Sequence, residues 1–165
     1  MNYGSAFFAV VVDTVLGRAE GTSIGSDQFT GVETVNTGAG ADRIIAGFED
    51  LVLRGGAGND IYEFAEEAPT TASGRTVHQI VDFSVGDRVR AKGLELFVET
   101  ANDGTGLFDD DHTSLGQIPQ INVFYETFEG LDQTALEWEF DDSDASVSVV
   151  LVGHHAFGWS AAVHT

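Results

Sequence analysis

The chain has no cysteine among its 165 residues, which excludes disulfide staples and thiolate metal sites. Basic residues are nearly as scarce. Seven lysines and arginines stand against 27 aspartates and glutamates, for a formal net charge of −20. A surface of that sign repels nucleic acid and anionic membranes, so neither is an expected partner. It attracts cations, and without them it repels itself. No run of about 18 apolar residues occurs, so no membrane span is expected. The apolar stretch "AFFAVVVD" (residues 6–13) is too short to span and lacks the basic flank of a cleaved signal; it reads as a buried strand. Long amphipathic helical periodicity is missing too. What is present is an ordinary globular share of apolar residues, 42%, enough for one domain or two small ones.

Glycine is the other abundance, and it is not spread evenly. "GGAGNDIYEF" (residues 55–64) puts three glycines in four positions just before a strand-like run. Glycine inside regular structure costs about 0.5–1 kcal/mol relative to alanine, so something must require it. Cutting the chain into nines from Gln28 gives "QFTGVETVN", "TGAGADRII", "AGFEDLVLR" and "GGAGNDIYE". The eighth positions are Val35, Ile44, Leu53 and Tyr62, all apolar. The sixth are Glu33, Asp42, Leu51 and Asp60, three of them acidic. A period of this kind marks a stacked repeat. Six residues make a turn and three make a short strand whose inward side chain stacks on its neighbours. Successive units alternate sides, so turns 18 residues apart lie on one another. Glycines let each turn take positive φ and aim its carbonyls inward. With one carboxylate per turn, the result is an oxygen cage suited to a hard cation of flexible geometry, Ca2+.

"GGAGNDIYE" resembles the nonapeptide G-G-x-G-x-D-x-U-x of RTX proteins, the hemolysin-type calcium-binding repeats, in which U is a large apolar residue. "TGAGADRII" is a near copy with Thr37 in place of the first glycine. The flanks are similar as well: "FTGVETVNTGAGAD" looks like the strand that leads into such repeats, and "IVDFSVGDRVR" (residues 80–90) like the segment that follows them. The resemblance runs from about Val11 to Arg90. It implies an all-β fold: a short parallel β-roll of calcium-binding repeats over residues 1–64, with an N-terminal strand, then an all-β C-terminal cap over 75–165 packed with it as one unit. The ligands it implies are Thr37, Ala39, Asp42, Gly55, Ala57 and Asp60, with a second, partial site where Asp82 approaches the 55–60 turn. Leu51 stands where the third unit should have an aspartate, so the other side of the roll is expected to lack a complete site. The resemblance further implies type I secretion from a Gram-negative bacterium, an extracellular or cell-surface location, folding on calcium binding after export, and a fused N-terminal catalytic or adhesive domain as the natural companion. The alternative to calcium at Asp42 and Asp60 is an Asx-turn, in which the carboxylate accepts only local amides.

Other constellations carry less. "GTSIG" (residues 21–25) fits G-x-S-x-G, but a nucleophile elbow at Ser23 needs a buried strand before it and a helix after it, and neither flank fits. His154 and His155 are adjacent and would point to opposite faces of a strand. They and His78 and His112 read as ordinary histidines, a zinc site with a distant acid being the lesser possibility. The acid clusters Asp109–Asp111 and Asp141–Asp144 do not fit an EF-hand loop. Phe124, Tyr125, Trp138 and Trp159 could line a glycan-binding face, the main alternative function, with a small hydrolase behind it. Beyond the repeats, "RTVHQIVDF", "AKGLELFVET", "INVFYETF", "TALEWEF" and "ASVSVVLVG" read as about five strands, with room for a short helix near Gly130–Leu136. No residue set supplies a convincing nucleophile, base or catalytic metal, so the chain by itself is not expected to be an enzyme.

Overall fold

The computed structural model describes residues 1–69, 72–98, 118–141 and 143–162. Among these the backbone forms fourteen strands and no helix. They are β1 (Val10–Asp13), β2 (Arg18–Gly21), β3 (Gly25–Gln28), β4 (Thr34–Ala39), β5 (Arg43–Ala46), β6 (Leu51–Ala57), β7 (Ile61–Phe64), β8 (Gly74–Ile80), β9 (Arg88–Ala91), β10 (Leu94–Val98), β11 (Asn122–Phe128), β12 (Leu131–Glu139), β13 (Ala145–Val152) and β14 (Phe157–Ala161). The protein is all-β, built from two mixed sheets. One has eight strands in the order β14-β10-β9-β7-β5-β1-β2-β3, the other six in the order β11-β12-β13-β8-β6-β4.

Between β4 and β9 the chain winds, placing successive strands on alternate sheets. β4 pairs with β6 in parallel, Val35 opposite Leu53, and β5 pairs with β7 in parallel, Ile44 opposite Tyr62. Both pairings join residues 18 apart. The next turn of the winding is longer: Leu51 lies opposite His78 and Ile61 opposite Arg88, a separation of 27. The connection between β7 and β8 absorbs the additional nine residues, which keeps β9 and the loop before it in step with β7. Val35, Ile44, Leu53 and Tyr62 are all fully buried between the sheets, as the eighth-position pattern requires. The strands are longer than the expected three residues, because β4 and β6 run on into their turns as far as Ala39 and Ala57.

Both ends of the winding are covered. At the start, the Asn36 N–H donates to the Met1 carbonyl and the Tyr3 N–H to the Asn36 carbonyl, while β1 pairs in parallel with β5. The β2–β3 hairpin then extends that sheet antiparallel. At the other end β10 pairs antiparallel with β9, and β13 pairs in parallel with β8. Each sheet therefore runs through both the repeat region and the C-terminal half, and one hydrophobic core extends from Ala6 to Phe157.

Several local expectations change. The stretch near Gly130–Leu136 is strand, not helix: Glu129 and Gly130 both have positive φ, the signature of a two-residue type I′ turn joining β11 to β12. Lys92 and Gly93 do the same between β9 and β10. The C-terminal half has seven strands among the described residues rather than five. "RVRA" and "FGWSA" escaped notice because each is a short run beside turn-like residues. Residues 18–28 form a hairpin whose second strand is exposed throughout.

The scarce positive charge is concentrated on the outer face of the eight-stranded sheet. Arg43 makes a two-pronged ion pair with Glu63, Arg90 pairs with Glu95 at 2.7 Å, and Arg88 lies over the Phe97 ring. Arg88 also stands 3.6 Å from Glu95, so three of the seven basic residues are spent on two glutamates.

Candidate metal centre

The end of β4 and the turn after it carry Thr37, Ala39 and Asp42; the end of β6 and the turn after it carry Gly55, Ala57 and Asp60. The 18-residue register stacks the first on the second, with Gly38 opposite Gly56 and Ala39 opposite Ala57. The six positions expected to share a cation are therefore neighbours. The stacking is close. A Cβ on Gly56 would fall against the Gly38 carbonyl oxygen, and one on Gly55 against the Asp60 carboxylate and the Tyr62 hydroxyl. The glycines are needed first of all because backbone lies on backbone here.

The aspartates form a ladder along the stack. The Val10 N–H donates to Asp42 Oδ1 at 2.7 Å, the Asp42 N–H to Asp60 Oδ1 at 2.8 Å, and the Asp60 N–H to Asp87 Oδ1 at 2.9 Å. Each carboxylate thus ties one turn to the turn before it. Asp42 also accepts from the Gly38 N–H through Oδ2, and Asp87 accepts from the Ser84 N–H and hydroxyl. Only the Gly38 and Ser84 bonds are local, so these carboxylates do more than close Asx-turns. Asp87 belongs to this set and went unrecognised in the sequence. It lies 27 residues after Asp60, and the nine-residue excess hides it from an 18-residue search.

Asp82 reaches the same place from the side. Its carboxylate accepts from the Gly55 N–H at 3.2 Å, the Gly56 N–H at 2.9 Å and the Tyr62 hydroxyl at 3.2 Å. The expected approach of Asp82 to the 55–60 turn is present, made by hydrogen bonds to that turn's amides. On the opposite side of the winding, Leu51 is buried in β6 and Asp50 accepts the Val77 N–H; no second aspartate ladder forms there among the described residues.

Four carboxylates, Asp42, Asp60, Asp82 and Asp87, thus share one flank, and no ion pair joins any of them to a basic side chain among the described residues. Asp60 is 1% exposed. Burial pushes its carboxyl up to about 6, the Asp42 N–H opposes this, and the charges of Asp87, Asp42 and Asp82 push it further up. Tyr62, buried beside Asp82, has its hydroxyl pushed well above the usual tyrosine range, first by burial and then by the same carboxylates.

Carboxylate and carbonyl oxygens form a hard donor set that fits Ca2+. Some of these oxygens already accept hydrogen bonds. The Gly55 carbonyl takes the Thr37 hydroxyl at 2.6 Å, and the Ala57 carbonyl takes the Gly40 N–H at 2.8 Å. A carbonyl has two lone pairs, so one such bond leaves a second open. Among the described residues no group of three or more histidine, aspartate or glutamate side chains converges as a metal site, so a cation here would depend on backbone carbonyls as much as on the aspartates.

The remaining candidates separate. Ser23 sits exposed in the β2–β3 hairpin loop with no helix after it, so it is not on a nucleophile elbow. His155 hydrogen-bonds the Val152 carbonyl at 2.8 Å, and His154 stands 3.9 Å from Asp132. Trp138 is buried in the core, and Phe124 and Trp159 are exposed on different sheets, so the four aromatics do not share a face. Residues 109–112 and Asp142 lie outside the described residues. Compared with models of known protein families, with curated proteins and with solved structures, the chain matches none.

Proposed function

We propose that the chain is a calcium-binding module of a secreted bacterial protein, a short parallel β-roll of RTX-like repeats closed by an all-β C-terminal half, and that it folds on calcium after export. The observation that carries this reading is Asp60: buried, ringed by Asp42, Asp82 and Asp87, and without a basic partner among the described residues. Four carboxylates on one flank call for a counter-charge, and none of the ion pairs made by Arg43, Arg75, Arg88 and Arg90 reaches them. Thr37, Ala39, Gly55 and Ala57 would offer backbone oxygens, and Asp42, Asp60, Asp82 and Asp87 carboxylate oxygens. A divalent cation would supply the positive charge that lets these turns lie against one another. Its binding free energy would then be folding free energy.

The test is far-UV circular dichroism of the chelated protein during a calcium titration, with magnesium as control. A cooperative gain of β signal with calcium alone, weakened in Asp60→Ala, is the expected result. Extracellular calcium modules bind at about 10⁻⁴–10⁻³ M, so the transition belongs in that range. A chelated protein that is already fully β and indifferent to calcium would overturn the proposal.

A further inference from the structure

His78 lies on β8, the strand shared between the winding and the C-terminal half. β6 flanks it on one side through Leu51, and β13 on the other through Val149. The imidazole is fully buried and faces the opposite sheet, its ring 5.0 Å from that of Phe64. Neither ring nitrogen has a hydrogen-bond partner, and the same is true of Trp138 Nε1. The Trp138 ring packs edge-on against the same Phe64, at 5.7 Å. An unpaired buried polar group is costly, and here two of them meet on one phenylalanine where the two halves join. Burial of this kind penalises the protonated ring above all, because it takes the charge out of water.

The charged groups around it are few. Asp50, in the turn before β6, is the one that acts on it, and its carboxylate already takes the Val77 N–H. The Gly47 carbonyl side of that turn also favours the charged ring. β7, β12 and β13 present Phe64, Trp138 and Val149, while Glu63 on β7 pairs outward with Arg43, and Glu137 on β12 with Arg75. Arg75 lies on β8 itself. Burial outweighs the two favourable groups and brings the ring down to about 4 from 6.5.

We propose that His78 makes the seam between the wound strands and the C-terminal strands acid-labile, so that mild acid loosens β8 from its neighbours while the imidazole takes up a proton. The sign follows from linkage. The ring is neutral when folded down to about pH 4 and takes a proton below 6.5 when unfolded, so stability falls as pH drops through that window. At pH 5 the unfolding constant should be raised about 30-fold by this one group relative to pH 7.5.

The test is urea unfolding of wild type and His78→Leu at pH 7.5, 6 and 5, all in the same excess of calcium chloride, so that the titration of the acids is common to both proteins. The expected outcome is a wild-type stability that falls more steeply than the variant's, the gap reaching about 30-fold at pH 5. Parallel curves would overturn the proposal. His78→Phe repeats the comparison if the leucine variant does not fold. An NMR titration of the His78 ring in the folded wild type decides independently: a resonance unmoved from pH 7.5 to 5 supports the proposal, and a midpoint near 6.5 refutes it.

Discussion

Replacing Gly58 by alanine probes the contact on which the stacked turns depend. Gly58 has φ +145°, a conformation that L side chains rarely adopt, and a Cβ there would fall against the Gly40 carbonyl oxygen of the turn beneath. Two costs add. The backbone strain is about 1–2 kcal/mol. The clash involves backbone held by parallel ladders on both sheets, so relief means separating strands, and overpacking of this kind costs about 1–3 kcal/mol. Gly58→Ala should therefore lose about 2–5 kcal/mol, a large part of the roughly 5–15 kcal/mol a domain possesses. Gly74 is the control. Its φ is +85°, but nothing lies within 4 Å of an added Cβ, so Gly74→Ala should show the strain alone, about 1–2 kcal/mol. Urea unfolding of both variants in saturating calcium measures the difference. Equal losses would mean that the turns do not lie as close as described, and the reason given for the glycines would fail.

Two further outcomes are expected. Asp87→Ala strips the acceptor from the Asp60 N–H and from the Ser84 N–H and hydroxyl, and should cost about 2–3 kcal/mol in urea unfolding, because hydrogen bonds to a charged group are worth about 1.5–3 kcal/mol; Asp87→Asn, which keeps one acceptor oxygen, should recover roughly half of that loss. Trp138 is 1% exposed and Trp159 45%, so Trp159→Phe should leave blue-shifted tryptophan emission that acrylamide barely quenches, and red-shifted, quenchable emission would remove Trp138 from the core.

The repeat was legible because its signal is local and periodic. Val35, Ile44, Leu53 and Tyr62 stack as their spacing requires, and Asp42 and Asp60 fall one turn apart. Leu51, read as a break in the acid pattern, is core. Asp82 was expected here because "IVDFSVGDRVR" resembles the segment that follows such repeats, although the amides it accepts lie 26 and 27 residues earlier. Asp87 was missed because the chain between β7 and β8 is nine residues longer than the period, and no local feature marks where such an excess is absorbed. The helix expected near Gly130 failed because an isolated Glu-Gly pair reads equally as a helix end and as a type I′ turn; only the pairing of β11 with β12, Phe128 opposite Leu131, decides between them. His78 gave no signal at all. An imidazole on a strand is ordinary in sequence, and its isolation is set by Phe64 and Trp138, which approach from the other sheet and from the far half of the chain.

The 18-residue register makes length itself a discrete variable in this protein. An insertion of 18 residues between β5 and β6 would add one complete coil, lengthening the stack by about 4.8 Å along the hydrogen-bonding direction and leaving every later strand on its own sheet. An insertion of nine would send all that follows to the opposite sheet, inner residues included, unless a loop took up the surplus as the β7–β8 connection does. Growth or shrinkage of this region by duplication is therefore confined to whole coils, and the β7–β8 connection is the place where a half-step has already been accommodated.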